Sequence, residues 1–105
     1  MIMGKTNFNY SPGDVVAFKL MSGEELISRI IEDRTETYVL NKPMALLNTP
    51  NGGLGMMGTP IAANHSDPVV LNKHAVAIHT KCEKELADQY MEKTTGLTMP
   101  GKGLI

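Results

Sequence analysis

The chain has 105 residues, of which 42% are hydrophobic, and its 10 Lys and Arg against 11 Asp and Glu leave a formal net charge of -1. This length supplies one hydrophobic core and excludes a second domain, and the balanced charge excludes a chain-wide basic surface of the kind that coats DNA. Cys82 is the single cysteine, which excludes an internal disulfide, and neither a signal peptide nor a membrane-spanning run is evident. These features favour a cytosolic protein.

The first part of the chain predicts a lead segment followed by a β-hairpin. Residues 1–14 mix Gly, Asn, Ser and Pro with scattered apolar residues, which is typical of loosely ordered chain, and the lead closes in a turn at Ser11-Pro12-Gly13-Asp14. Apolar and β-branched runs follow at residues 15–20 and 26–32. Because glycine tolerates positive φ, Gly23 between the two runs predicts a tight hairpin turn.

Three further extended segments are predicted. Residues 38–48 form a third strand, and Pro43 inside it cannot donate to a strand ladder, which predicts a bulge or a sharp bend there. Residues 54–63 form a fourth strand that is weakened by glycines and a proline. Residues 69–78 form a fifth strand with a kink at residues 72–74.

A helical period follows the fifth strand. Thr80 with Glu83 three residues later predicts a capping box, in which the hydroxyl and the carboxylate each accept from a backbone N–H at the start of a helix. The predicted helix runs over residues 81–95 and stops at Gly96. Its apolar stripe consists of Cys82, Leu86 and Tyr90.

Together these elements predict one all-β domain with a C-terminal helix. The lead covers residues 1–14, five antiparallel strands cover residues 15–79, the helix region covers residues 80–96, and a tail of low order covers residues 97–105. The bend expected in the third strand suits a small barrel.

A glycine motif at residues 53–58 matches the dinucleotide fingerprint G-x-G-x-x-G. That fingerprint needs a helix after its glycines and an acidic residue about 20 positions further on. Thr59-Pro60 follows the motif, and no helical period appears before His65. Glycines in a bent strand or a flexible hairpin are therefore the favoured interpretation.

Three other side chains carry chemistry that a metal or an active site would use. His74, His79 and Cys82 are ligand types that zinc prefers, but their spacing matches no standard zinc motif. Cys82 lies on the apolar stripe of the helix, which favours a core residue, and Cys-His catalysis lacks its orienting group. We therefore predict no enzyme activity, no metal and no cofactor.

One stretch of the chain is basic. Residues 73–81 contain Lys73, His74, His79 and Lys81 and no acidic residue. Since the whole chain carries a net charge of -1, any nucleic-acid site must be local to such a stretch. The alternative is a soluble turn that leads into a charged helix start.

The order of elements over residues 15–40 resembles the first motif of the Sm and Sm-like RNA-binding proteins, with a glycine turn between two strands and an Asp in the next loop. The matching positions are Gly23, Ser28, Ile30, Asp33 and Leu40. Residues 70–76 resemble the second Sm motif, where Asn72 and Lys73 stand at the usual Arg and Gly. Tyr38 stands where the family has an Asn that reads a base.

A closer similarity, over nearly the whole chain, is to a group of Sm-like proteins found in ocean metagenomes and attributed to cyanophages. The similar segments include Ser22-Gly23-Glu24-Glu25 and Ala87-Asp88-Gln89-Tyr90. That group has no assigned biochemical role. In the wider family the helix usually precedes the barrel, whereas here it is predicted to follow.

The resemblance implies an Sm-like bent five-stranded antiparallel barrel whose fourth and fifth strands pair with neighbouring copies. It also implies a closed homo-oligomeric ring of about five to seven subunits, which leaves no sheet edge unpaired. Single-stranded RNA or DNA would bind at loops around the pore. The residues at the matching loop positions are Asp33, Tyr38, Asn72, Lys73 and His74.

Two functions follow from this resemblance. The first is a ring that binds single-stranded RNA or DNA and takes part in nucleic-acid processing in the cytoplasm of a phage-infected cell. The alternative is a phage structural or assembly ring that acts through protein contacts, with loops that carry no nucleic acid. Salt-dependent binding of an oligonucleotide distinguishes the two.

Overall fold

A computed structural model describes residues 9–60, 64 and 66–96. These residues form six antiparallel strands, a short 3-10 turn and one C-terminal helix. The strands are β1 (Val15–Leu20), β2 (Glu25–Asp33), β3 (Thr37–Asn48), β4 (Leu54–Gly58), β5 (Val69–Asn72) and β6 (Val76–Lys81). The 3-10 turn (Lys73–Ala75) joins β5 to β6, and the helix is α1 (Lys84–Thr95).

The first three strands match the predicted ones closely, but the later part of the sheet differs. The predicted fourth strand is shorter, because β4 ends at Gly58; residues 61–63 lie outside the described residues, as do residues 1–8 of the lead and the tail over residues 97–105. The prediction of five strands is wrong. The kink in the fifth segment is a full 3-10 turn, which divides the segment into β5 and β6.

The strand order is β4-β3-β2-β1-β6, and β5 pairs with β3. The long strand β3 therefore holds β2 along one side, and both β5 and β4 along the other. Only Lys73–Ala75 separates β5, on the edge of β3, from β6, on the edge of β1. The sheet is not closed within the described residues, because its end strands β4 and β6 do not pair with each other.

Two bulges bend the centre of the sheet. From Ile27 to Arg29 the chain advances two residues along β2 but three along β3, so β3 carries an extra residue beside Pro43. Lys42 takes up this residue at a φ of 55°, a left-handed conformation that is uncommon outside glycine. The predicted bulge at Pro43 is confirmed. A second shift, between Ile30 and Glu32, bends β2 in its turn.

The hairpin between β1 and β2 turns at Gly23, as predicted. Its φ is 96°, and its N–H donates to the Leu20 carbonyl at 2.9 Å. No heavy atom lies within 4 Å of the position that a Cβ would take. Backbone conformation alone therefore requires glycine here.

The start of the helix corrects one prediction. Thr80 is not the cap: Thr80 and Lys81 belong to β6, where Lys81 pairs with Val16 of β1. Glu83 is the N-cap instead. Its carboxylate accepts from the backbone N–H groups of Glu85 and Leu86, at 3.1 and 3.2 Å. Pairing with β1 has displaced the local capping box. The predicted stop at Gly96 is confirmed, with a φ of 77°.

Two apolar clusters lie on opposite faces of the sheet, since adjacent strand residues point in opposite directions. The core cluster consists of Val16, Phe18, Leu26, Ile30, Tyr38, Leu40 and Ala45. The helix-side cluster consists of Ile27, Met44 and Tyr90, with Val15, Leu46, Met56, Cys82, Leu86 and Met91 packed against them. The helix covers the second cluster, as its apolar stripe predicts.

Tyr90 of α1 completes the β3 bulge. Its side chain is fully buried, and its hydroxyl accepts from the Arg29 N–H at 3.0 Å. The single hydroxyl proton is donated to the Asn41 carbonyl at 2.7 Å and shared with the Lys42 carbonyl at 3.0 Å. Backbone groups that the bulge removes from the strand ladder thus regain partners.

In the part of the chain that is described, no helix is long and apolar enough to cross a membrane.

Candidate functional site

The loop between β2 and β3 meets the 3-10 turn at one end of the sheet. The Lys73 N–H donates to the Glu36 carbonyl at 2.9 Å, and Thr37 of β3 pairs with Asn72 of β5. This pairing brings together all five residues that the sequence singled out. We call this surface the loop cluster; its members are Asp33, Glu36, Tyr38, Asn72, Lys73 and His74.

Lys73 and Asp33 form the centre of the loop cluster. The Lys73 ammonium lies 2.7 Å from Asp33 Oδ1 and 4.6 Å from the centroid of the Tyr38 ring. The Asp33 side chain is 5% exposed and that of Lys73 is 29% exposed. A carboxylate so deeply buried needs a charged partner, and Lys73 provides it while still reaching solvent.

Tyr38 belongs to the core cluster. It is 3% exposed, and its ring centroid lies 5.1 Å from that of Phe18. Burial raises the pKa of the Tyr38 phenol, and the nearby charge of Asp33 raises it further, so the side chain stays neutral. The Tyr38 ring packs under the Lys73 ammonium, and its face is not exposed to solvent.

Asn72 and His74 shape the turn itself. The Asn72 side-chain oxygen accepts from the His74 backbone N–H at 2.9 Å, which caps the 3-10 turn. His74 Nε2 lies 3.2 Å from Glu36 Oε1, with side chains that are 80% and 70% exposed. The imidazole is therefore far more open to solvent than the Lys73 ammonium, whose side chain is 29% exposed.

Tyr10 and His79 belong to the same region, although the sequence reasoning did not assign Tyr10 to it. The Tyr10 N–H donates to Asp33 Oδ2 at 2.9 Å, and the Tyr10 hydroxyl lies 2.7 Å from His79 Nδ1. The two rings meet edge to face at 5.7 Å. The end of the lead is thus held against the sheet. An aromatic residue directly before the Ser11–Asp14 turn was the available signal.

The remaining basic side chains near this end are paired with carboxylates. Arg34 lies 3.0 Å from Glu32, and Lys81 lies 3.8 Å from Asp14. The basic stretch of the sequence therefore divides in space, with Lys81 at a separate ion pair. For Lys81, folding supplies an acidic partner that lies far away in the sequence.

The other chemical motifs take structural positions. The glycines at residues 53–58 lie in the β3–β4 turn and in β4, as the strand interpretation predicts. Cys82 is half-buried, and burial, with a smaller contribution from the Glu83 charge, raises the pKa of its thiol. A protonated thiol is a poor nucleophile and a poor metal ligand. Within the described ranges no three His, Cys, Asp or Glu residues are grouped to hold a metal.

The loop cluster offers one half-exposed ammonium, an exposed imidazole and a buried carboxylate that fixes the ammonium. Such a set can bind an anion by exchange of the carboxylate for a phosphate. Comparison of the chain with protein-family models and with curated proteins finds no match.

Proposed function

We propose that the protein is an Sm-like subunit that assembles into a homo-oligomeric ring and binds single-stranded RNA or DNA through the loop cluster, with a role in nucleic-acid processing. The observation that carries this proposal is the meeting of the β2–β3 loop with the 3-10 turn. In an Sm-like barrel these two loops line the pore. Here their contact gathers residues that lie about forty positions apart in the chain, as for Lys73 and Asp33.

The strand arrangement supports the barrel part of the proposal. β5 pairs with β3 and β6 pairs with β1, although a turn of three residues joins β5 to β6. Two bulges add to the bend between β2 and β3. The path of the chain fits a five-stranded Sm-like barrel in which β5, the 3-10 turn and β6 together form the last, kinked strand.

Unpaired strand edges support the ring. β4, β5 and β6 each pair with one strand only within the described residues. Exposed apolar side chains stand on all three strands: Leu54 and Met57 on β4, Val70 on β5 and Ile78 on β6. Val70 and Ile78 are each 59% exposed. Edge-to-edge pairing of about five to seven copies would bury them and remove the open edges.

The site would act through several copies of Lys73. In each copy the ammonium exchanges part of its contact with Asp33 for a phosphate oxygen, and His74 offers a second donor. Each phosphate neutralised on a single strand contributes about 0.7 to the slope of log affinity against log salt. Symmetry therefore makes binding strongly dependent on salt.

A second candidate function has its own observation. Lys73, His74, Arg34 and Lys81 each face a carboxylate, so an isolated subunit presents little free positive charge at this end. A structural or assembly ring that acts through protein contacts would need no free positive charge at this end. The two functions share the ring and differ in whether it binds an oligonucleotide.

A binding measurement tests the first function. Fluorescence anisotropy with labelled single-stranded RNA and DNA at about 50 mM salt, where phosphate contacts are strongest, should show binding by the wild-type protein. Lys73→Glu should abolish it, and Lys19→Glu, an exposed lysine on β1, should change it little. Absence of binding by the wild-type protein would overturn the nucleic-acid function and leave the structural ring.

A mass measurement tests the ring on its own. Sedimentation equilibrium at micromolar concentration should give a multiple of the 11.4 kDa subunit mass. Val70→Lys on the β5 edge should dissociate the assembly, since a buried lysine without a partner is costly. A wild-type monomer would refute both functions, because both depend on the ring.

A further inference from the structure

A cavity of about 300 Å³ lies where the β3 bulge, the end of β4 and the last turn of α1 meet. It is lined by Lys42, Met44, Gly58, Lys93 and Thr94. Two lysines from different elements therefore line one space, and none of the described residues that line it carries a carboxylate. The cavity belongs to the helix side of the sheet, whereas Tyr38 of the loop cluster belongs to the opposite face.

Lys42 is fixed in this cavity at both ends. Its backbone carbonyl accepts from the Tyr90 hydroxyl, and its ammonium donates to the Thr94 carbonyl at 3.2 Å. A lysine at a φ of 55° is an unusual choice, because glycine or asparagine meets that conformation at lower cost. The bulge thus directs a cation, at some conformational cost, toward the end of the helix.

The charge of this cavity differs from that of the loop cluster. Lys73 has Asp33 and His74 has Glu36, but within the described residues neither Lys42 nor Lys93 lies in an ion pair with a carboxylate. An ammonium has three donors, and the Thr94 carbonyl occupies one donor of Lys42. Glu92 neighbours Lys93 along the helix but does not line the cavity. Two of the three Lys42 donors therefore remain for a further acceptor.

We propose that this cavity binds a phosphoryl group between Lys42 and Lys93. Two ammonium groups match the charge of a phosphate near neutral pH, and the volume accommodates that group with room for an attached moiety along Met44. The phosphoryl group comes either from free phosphate and pyrophosphate or from the phosphorylated end of a nucleic acid. The site is separate from the loop cluster and does not depend on its function.

Heteronuclear NMR of the full-length ¹⁵N-labelled chain tests the site with pyrophosphate as the probe. At constant ionic strength, the backbone amides of Gly58, Lys93 and Thr94 should shift saturably. Lys93→Gln should weaken the binding at least tenfold, and Lys84→Gln, at the other end of α1, should leave it unchanged. Shifts that do not saturate, or equal affinity for Lys93→Gln and wild type, would overturn the proposal.

Lys42→Gln provides the second variant, with a thermal melt to show that it folds. Lys42 also holds the helix end, so Lys93→Gln alone decides the question if Lys42→Gln does not fold. A 5′-phosphorylated dinucleotide and its 5′-hydroxyl counterpart identify the source of the phosphoryl group. Tighter binding of the phosphorylated form supports a nucleic-acid end, and equal binding of the two supports free phosphate or pyrophosphate.

Discussion

The helix side and the loop cluster solve the same problem, a polar group in a buried position, in different ways. On the helix side the fully buried Tyr90 hydroxyl supplies the partners that the bulge takes from Arg29 and Asn41. At the loop cluster the buried carboxylate of Asp33 is paired with Lys73, a side chain that still reaches solvent. The backbone groups under the helix are bonded to a side chain that is fully buried. Lys73 reaches solvent, so its ammonium can exchange the contact with Asp33 for a contact with a ligand.

Tyr90→Phe should have the largest effect on stability. It removes the hydroxyl and leaves the Arg29 N–H and the Asn41 carbonyl buried without that partner, which costs about 1–3 kcal/mol. Urea unfolding followed by circular dichroism measures the loss. Gln89→Ala, an exposed neighbour on α1, is the control and should fall within about 0.5 kcal/mol of wild type. A loss as small for Tyr90→Phe would show that the bulge does not need the hydroxyl.

Asp33→Asn should have a smaller effect on stability and a distinct effect on binding. It leaves Lys73 without its charged partner; because Lys73 is partly exposed, we expect a loss of about 1–2 kcal/mol, below that of a fully buried pair. The freed ammonium should raise oligonucleotide affinity in the anisotropy assay. Glu36→Gln breaks the exposed pair with His74 and should leave stability nearly unchanged. Lower affinity for Asp33→Asn would make Asp33 itself a ligand contact.

Glu83→Ala should cost about 1 kcal/mol, because it removes the N-cap that holds α1 over the helix-side cluster. Thr80→Ala is the matched control. Thr80 lies in β6 and is exposed, so its removal should have little effect on the helix. Thermal melts of both variants decide the comparison. A larger loss of stability for Thr80→Ala than for Glu83→Ala would show that Thr80 caps the helix, as the predicted capping box requires.

Tyr10→Phe should have the smallest effect, below about 1 kcal/mol, because it removes one partly exposed hydrogen bond to His79. Burial raises the pKa of Tyr10, and the neighbouring Tyr38 and Asp33 raise it further. The neutral phenol is thus favoured in the folded chain. This stabilisation is present below the unfolded tyrosine pKa of about 10 and is lost as the pH rises through the folded value.

The measurement compares urea midpoints of wild type and Tyr10→Phe at about pH 8 and about pH 11, on either side of the tyrosine pKa. The wild-type advantage at the lower pH should shrink at the higher one. An advantage that is the same at both values would mean that Tyr10 ionises as freely in the folded chain as in the unfolded one.

Local signals in the sequence were sufficient to predict one turn, one bulge and one helix end. Gly23 set the hairpin turn, Pro43 marked the bulge, and Gly96 ended the helix. Each of these residues acts on its own backbone or on that of its neighbours, through an allowed φ or a missing N–H. Such effects require no knowledge of distant partners, and the structure agrees with them.

Distant partners decided the rest. Thr80 and Lys81 entered β6 because β1 offered strand pairing, and that pairing overrode a local capping box. Asp33 lies forty residues before Lys73, so the neutralisation of the predicted cation was invisible in a basic stretch without acids. The sequence by itself pointed to five of the six members of the loop cluster, and the pairing of Lys73 with the Glu36 carbonyl added the sixth. Tertiary structure determined which of their charges are paired, because ion pairs form between whichever side chains the sheet brings within reach.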